Sequence, residues 1–359
     1  MQNYKGSLTY EDYIILIKNN YIISDNINNN QVQPSSIDLT LSDECYEISA
    51  SFLSTGNNVI KNLSKVLIKK INLSSGYIFK KNKTYLVRIN EKLNLNEDIF
   101  GMCNPKSSTG RLDVFCRTII NFGTEYEKIP LNYKGEIFIE ITSRSFDVKF
   151  QKGDSLNQMR LIFKKNVLVE DEELIKIHKT KFLTLDMNGH KISPDIANGL
   201  KISVDLKNDN LINGYTAKKN TPTLYFNKIK YHRTKDFWDP IKLKTNRILI
   251  EKNKFYILKS NEKIQIPKNM AGEMVPYDTS IGDFRVHYAG FFDPGFGYET
   301  GAYAVLELKT NEVSFLLEHG QSIARIKYEK LNKDTAKVYG SELNSNYQHQ
   351  SLALSKHFV

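Results

Sequence analysis

The feature that most constrains this chain is that it contains much of itself twice. Lys81-Asn82-Lys83-Thr84-Tyr85 and Asn90-Glu91-Lys92 return as Lys252-Asn253-Lys254-Phe255-Tyr256 and Asn261-Glu262-Lys263. The offset of 171 residues, from 81 to 252, also carries Gly101 to Gly272 and Pro105 to Pro276 without a gap. Further on, Glu140 and Gly153 match Glu307 and Gly320 at an offset of 167, from 140 to 307. Ile141 and Val148 face Leu308 and Phe315, so the apolar phase persists, and Ser36-Ile37-Asp38-Leu39 has an echo in Ser203-Val204-Asp205-Leu206. Self-similarity of this length reads as a tandem duplication of one domain. The boundaries it predicts are residues 1–170, a linker over 171–195, and residues 196–359.

The grammar of each copy is β. After a helical pattern over residues 8–23, with Thr9 and Asp12 spaced as a weak capping box, residues 33–41 alternate apolar and polar. Short β segments follow at 46–48, 66–71, 77–79, 85–89, 115–120, 136–142, 146–150 and 159–163, punctuated by turn residues. This pattern suits an all-β barrel or sandwich. The chain is 40% hydrophobic and 25% charged, which excludes a disordered chain. No apolar run reaches the length of a membrane-spanning helix, and Met1-Gln2-Asn3-Tyr4-Lys5-Gly6 has no signal-peptide core. A cytoplasmic address and no membrane partner are therefore expected.

The net charge of +10 leaves two partners open, nucleic acid or a small polyanion. The lysines are dispersed, so nucleic acid is not favoured. Cys45, Cys103 and Cys116 have no C-x-x-C spacing and read as packed, reduced thiols. None of the seven histidines forms an H-x-E or H-E-x-x-H pair. The zinc-deaminase and zinc-hydrolase signatures are missing, and no zinc is expected.

One stretch concentrates chemistry: Asn104-Pro105-Lys106-Ser107-Ser108-Thr109-Gly110-Arg111. Proline sets a turn, glycine allows close approach, and hydroxyls and amide N–H groups flanked by cations suit phosphate oxygens. It is not a Walker loop, and a plain polar surface turn is the competing reading. The second copy has Pro276-Tyr277-Asp278-Thr279-Ser280-Ile281-Gly282 there, a Tyr and an acid where Lys106 and Ser107 stand. Conversely, Phe292-Asp293-Pro294-Gly295-Phe296-Gly297 precedes Glu307, whereas Ile129-Pro130-Leu131-Asn132-Tyr133-Lys134-Gly135 precedes Glu140. Each copy keeps what the other has lost. Drift in a redundant half would give the same pattern.

Gln33-Pro34-Ser35-Ser36-Ile37-Asp38-Leu39, the P-K-S-S-x-x-R run, and D-P-G-F-G followed by Glu307 in Val305-Leu306-Glu307-Leu308 together resemble the bacterial dCTP deaminases, in their long two-copy form, within the dUTPase-like superfamily. The resemblance covers essentially the whole chain. It implies a mainly β fold: a tandem pair of dUTPase-like distorted β-barrels (β-clip) with a few short helices. It also implies a homo-oligomer, a trimer or a multiple of one, with nucleotide sites between barrels.

By the same resemblance, Lys106, Ser107, Ser108 and Arg111 hold the triphosphate. Asp293, Gly295 and Phe296 cup the sugar and pyrimidine. Glu307, or by the repeat Glu140, activates water. The C-terminal tail, with Gln348, Gln350 and Lys356 in Tyr347-Gln348-His349-Gln350 and Ser355-Lys356-His357-Phe358, closes over the phosphates. Arg111 and Ser107 would position the water and stabilise developing charge.

The implied reaction is hydrolytic deamination of dCTP to dUTP, in deoxynucleotide biosynthesis, with Mg²⁺ arriving on the triphosphate and no metal at the base. A buried Glu in an apolar strand suits a general base and acid. A dUTPase or bifunctional deaminase–diphosphatase releasing dUMP is the alternative; a non-catalytic nucleotide-binding regulator is a second. Spacing leaves the two glutamates open. Glu307 lies 14 residues after Asp293, whereas Glu140 lies 10 after Pro130 but lacks the hairpin acid. The hairpin tips the choice towards Glu307. Residues 208–245, rich in Lys, Asn and aromatics, receive no role, and their aromatics read as core rather than as a base-stacking platform.

Overall fold

The computed structural model describes residues 5–209, 211–275, 290–340 and 351–359. The first repeat is built from two main sheets. One runs Leu67–Asn72, Leu41–Ile48, Thr84–Asn94, Lys134–Ser143, Val114–Ile120, with Ile22–Ile23 added to Thr84–Asn94. The other runs Gly6–Ser7, Asn157–Phe163, Ile99–Pro105, Lys128–Ile129, with Ile37–Leu39 on Asn157–Phe163. In the second repeat, Phe255–Ile264 and Ala302–Lys309 pair in one sheet, and Leu200–Ser203, Ser322–Lys330, Met270–Met274 and Phe291–Phe292 make another.

The duplication holds at the level of strand register. Glu140 sits opposite Leu86, and Glu307 opposite Ile257. Gly101 sits opposite Leu161, and Gly272 opposite Tyr328. Both offsets found in the sequence, 171 on one strand and 167 on its partner, are satisfied at once.

The predicted helix is shorter than its pattern. It spans Tyr10–Lys18, with the Thr9–Asp12 capping box formed. Asn20, at φ +58, ends it in the left-handed conformation that asparagine tolerates, and Ile22–Ile23 then joins a sheet. The strand Ile99–Pro105, which the sequence reading passed over, alternates buried and half-buried residues and leads directly into the loop at Lys106. Gly101 is required there: a Cβ would lie 3.1 Å from the Arg160 carbonyl and 3.0 Å from Leu161.

The stretch 171–195 is not a bare linker. It contains the helix Asp171–Lys181 and the strand Thr184–Leu185, which pairs with Phe255–Ile264. Leu168 bridges Glu329 as Ser7 pairs with Ile162, and Glu329 and Ile162 are related by the 167 offset, so this helix opens the second repeat as Tyr10–Lys18 opens the first. Its polar, charge-rich sequence hides it: among its described residues, Leu174 and His178 are the buried ones.

Residues 208–245 cross back onto the first repeat. Leu224–Tyr225 adds in parallel to Val148–Phe150, and Phe226, Phe237 and Trp238 enter the first core. The aromatics Phe237 and Trp238 are 1% exposed, as a core reading requires. The same segment carries the C-terminus. Lys230 N–H donates to the Lys356 carbonyl (2.9 Å), Tyr231 and His232 N–H to that of His357 (3.0 Å each), and Val359 N–H returns to His232 O (2.9 Å). The three cysteines are free and buried, and burial pushes their thiols up in pKa. No described helix is long and apolar enough to cross a membrane.

Candidate active site

Alternation along Ala302–Lys309 creates the site. Ala304, Leu306 and Leu308 point into the second core, whereas Val305 belongs to the first core together with Phe255 and Ile257. Side chains two apart share a face of a strand, so Glu307 and Lys309 face the first repeat. Leu306 and Leu308 therefore do not form the carboxylate's surroundings, as their sequence proximity suggested. What covers Glu307 is the other repeat's loop. A Cβ built on Gly110 would stand 2.7 Å from Glu307 Oε1 and 2.8 Å from its carboxyl carbon. The glycine is what lets a buried carboxylate, 2% exposed, lie against the loop backbone.

The loop is more closed than a row of outward N–H groups. Ser107–Gly110 forms one helical turn. The amides of Thr109 and Gly110 donate to Lys106 O (2.9 and 3.0 Å), and that of Arg111 to Ser107 O (3.1 Å). The Thr109 hydroxyl turns inward to Leu156 O (2.9 Å). The turn consumes these donors because a helical turn must close its own hydrogen bonds. Ser107, Ser108, Lys106 and Arg111 carry the remaining polar side chains. Lys106 Nζ pairs with Asp38. Arg111, 3% exposed, reaches Ala353 O in the tail (3.2 Å).

The tail lies on the loop. The Ser355 hydroxyl donates to Ser108 O (2.8 Å). Lys356 is drawn close enough to Lys106, Asp38 and Asp154 to feel their charges; burial first, then Lys106, holds its pKa down. Asp154 is raised to about 7 by burial, against a Gln151 N–H bond that works the other way. Gln348 and Gln350 lie outside the described residues, as does the second-repeat counterpart of the loop at 276–282.

Asp293 completes the convergence. Its Oδ1 accepts the N–H of Ser35, in the Gln33-Pro34-Ser35-Ser36 motif, at 3.3 Å. Burial lifts its carboxyl to about 7; the Ser35 bond opposes this and Asp38 adds to it. Gly295, at φ +88, is confined: a Cβ would meet Val338 at 3.0 Å. Phe296, which the resemblance assigns to the sugar and pyrimidine, is 5% exposed. Its ring packs in the second core against Phe292 and Tyr339, centroids 4.9 and 5.7 Å away, and its N–H closes the hairpin on Asp293 O (3.1 Å).

Glu140 is not brought to this cleft. Arg117 donates to its Oε1 through Nε (3.1 Å) and Nη2 (2.6 Å), and Ser51 Oγ donates to Oε2 (2.6 Å). Sequence reasoning missed Asp113 and Lys309, and it held Ser35, Asp38 and Ser355 within its motifs without giving them individual roles. The i, i+2 spacing of Glu307 and Lys309 was the one local signal available. Buried polar atoms without a protein partner also collect near Lys106, namely Ser36 Oγ, Asp38 Oδ1, Asn104 Oδ1 and Ser155 Oγ. Such atoms are costly unless something polar joins them.

Two β-barrels meeting around a basic loop, an acid hairpin and a buried carboxylate define a nucleotide-handling protein of the dUTPase-like kind. Residues 4–165 match the family described as 2'-deoxycytidine 5'-triphosphate deaminase (DCD) N-terminal domain, and residues 170–358 the corresponding C-terminal domain. The crystal structure of 2'-deoxycytidine 5'-triphosphate deaminase from Agrobacterium tumefaciens superposes with a TM-score of 0.86 at 36% identity, covering 91% of this chain and 99% of that one. Comparison with curated protein sequences gives no match. The chain belongs to the dCTP deaminase family.

Proposed function

We propose that this enzyme hydrolyses dCTP to dUTP and ammonia in a cleft formed by its own two repeats. The observation that carries the proposal is the contact of Gly110, in the first repeat's loop, with the Glu307 carboxylate of the second. Lys106, Ser107, Ser108, Arg111 and Lys356 hold the triphosphate, which enters as its Mg²⁺ complex; the metal is part of the substrate. Gln348 and Gln350 complete the tail's share of the phosphate contacts. Asp293 and Gly295 hold the sugar side. With its pKa near 7, Asp293 can accept or donate to a sugar hydroxyl at neutral pH.

Glu307 takes a proton from water as the oxygen bonds to C4 of cytosine and passes it to N3, then carries the remaining hydroxyl proton to the amino group as the C–N bond breaks, leaving the C4 carbonyl and ammonia. One carboxylate serves as base and then acid. Arg111 and Ser107 orient the water and the charge that develops. The same reading makes the enzyme cytoplasmic and a trimer or a multiple of one, which its mass in solution checks.

Purified protein given dCTP tests this directly. Ammonia with dUTP supports it. Release of a monophosphate would make it bifunctional, and binding without turnover would make it a regulator. Mixing Lys106→Ala, Ser107→Ala chains with Glu307→Gln chains then locates the site. No recovery of activity is expected, because loop and carboxylate meet within one chain; recovery would place the working site between chains.

A further inference from the structure

Two residues beyond Glu307, on the same face of its strand, stands Lys309; two residues beyond Arg111, at the end of the loop, stands Asp113. Lys309 Nζ lies 2.7 Å from Asp113 Oδ2, with the side chains 10% and 0% exposed. Ser145 Oγ donates to the same oxygen at 2.6 Å. The backbone of Asp113 is fixed to the loop, its N–H donating to Gly110 O and its carbonyl accepting from Arg144 N–H, both at 3.0 Å. Its φ of +55 is the left-handed conformation, which aspartate, like asparagine, tolerates and which turns the chain sharply at the loop's end. The residue therefore belongs to the loop through its main chain and to the Glu307 strand through its carboxylate.

A buried ion pair adds little stability over apolar residues of the same size, since desolvation offsets the attraction; what it does is fix a geometry. The equivalent position in the first repeat carries no charge. The position equivalent to Lys309 is Thr142, 167 residues earlier, whose hydroxyl meets that of Thr84 at 3.0 Å within its own sheet. We propose that Lys309 and Asp113 are positioning residues that hold the phosphate loop at a set distance from Glu307, so that a nucleotide gripped by the loop presents its base to the carboxylate. This rests on the deaminase reading and adds a specific tether to it. Neither side chain touches the reacting atoms.

The test is turnover and stability of Lys309→Met, Lys309→Arg and the double variant Asp113→Asn, Lys309→Met. The single Met variant takes the ammonium away from a buried carboxylate and should lower the melting temperature as well as kcat. The double variant removes both charges and should recover the melting temperature. Its kcat for dCTP should stay about 10- to 100-fold down, the scale of a displacement near 1 Å, with KM changed less than about threefold because Ser107 and Ser108 are intact. Lys309→Arg keeps the tether and should restore most of kcat. A folded double variant with undiminished kcat overturns the inference alone. If the unaltered enzyme releases no ammonia from dCTP, the deaminase reading falls and takes the inference with it.

Discussion

Glu140 and Glu307 occupy the same place in two copies of one barrel, opposite Leu86 and Ile257 in matching registers, and they have different surroundings. In the first repeat, Arg117 lies over the Tyr126 ring (3.8 Å to its centroid) and forks onto Glu140. The carboxylate is fixed as part of the wall. In the second, the neighbour is the backbone of Gly110, and the face that carries Glu307 is turned to another barrel. Asp38 and Asp205 show the same division. Asp38 pairs with Lys106 of the loop, whereas Asp205 pairs with Lys259 of its own barrel at 2.7 Å. A strand position does not carry a role; the element packed over it assigns one.

The largest expected contrast is between the two glutamates. Glu307→Gln should lower kcat on the order of 10³-fold, the range for loss of a general base, while Glu140→Gln should leave kcat within about twofold. Steady-state ammonia release compares them, and equal losses would erase the distinction drawn between the repeats.

Next is the joint between the repeats. Arg160, 0% exposed, bonds Glu273 and Glu329 of the second repeat at 2.5 Å each, and Ser7 Oγ donates to Glu329 at 2.8 Å. Its counterpart 167 residues on, Lys327, is half-buried opposite Glu273. Arg160→Met strands two carboxylates and should cost roughly 3–5 kcal/mol, against under about 1 kcal/mol for Lys327→Met. Denaturant unfolding of the two variants measures the difference.

A smaller effect is expected at the contact itself. Gly110→Val puts branched carbon where the Glu307 carboxylate lies and should lower kcat by about 10- to 100-fold through displacement, with the fold intact by circular dichroism. Unchanged turnover would mean that the loop does not define the carboxylate's position.

The smallest effect concerns the tail that covers the first repeat's loop. Burial holds the His357 imidazole down to about 3, and its Nδ1 lies 2.9 Å from Ser355 Oγ. The docked tail therefore keeps His357 neutral, whereas a released tail takes up a proton below its ordinary value of 6.5. Docking is undiminished above that pH and weakens as pH falls towards 3, by roughly 2 kcal/mol at pH 5. Protection factors at the amides of residues 355–359, taken against the intrinsic exchange rate at each pH, should fall on acidification, and His357→Phe should remove that dependence.

Much of the fold was legible because duplication and alternation are local facts. The capping box at Thr9, the strand Tyr77–Phe79 and the offsets later found in strand register all came from neighbouring residue types. The helix Asp171–Lys181 was lost among charges, since two buried residues make too thin an apolar stripe to read. Residues 208–245 gave no role because their apolar side chains complete the other repeat's core, a destination no sequence window contains.

By itself the sequence determined that two copies of a β domain would form, since backbone pairing and side-chain alternation follow from residue type over a few positions. It also marked the residues carrying charge, Lys106, Arg111, Asp293 and Glu307. Which glutamate meets the loop, and that Asp113 and Lys309 form a pair, were decided by the packing of one barrel on the other; that Phe296 faces inward was decided by the second core itself. Contacts between residues nearly 200 positions apart depend on how two finished surfaces fit, and no local pattern encodes that fit.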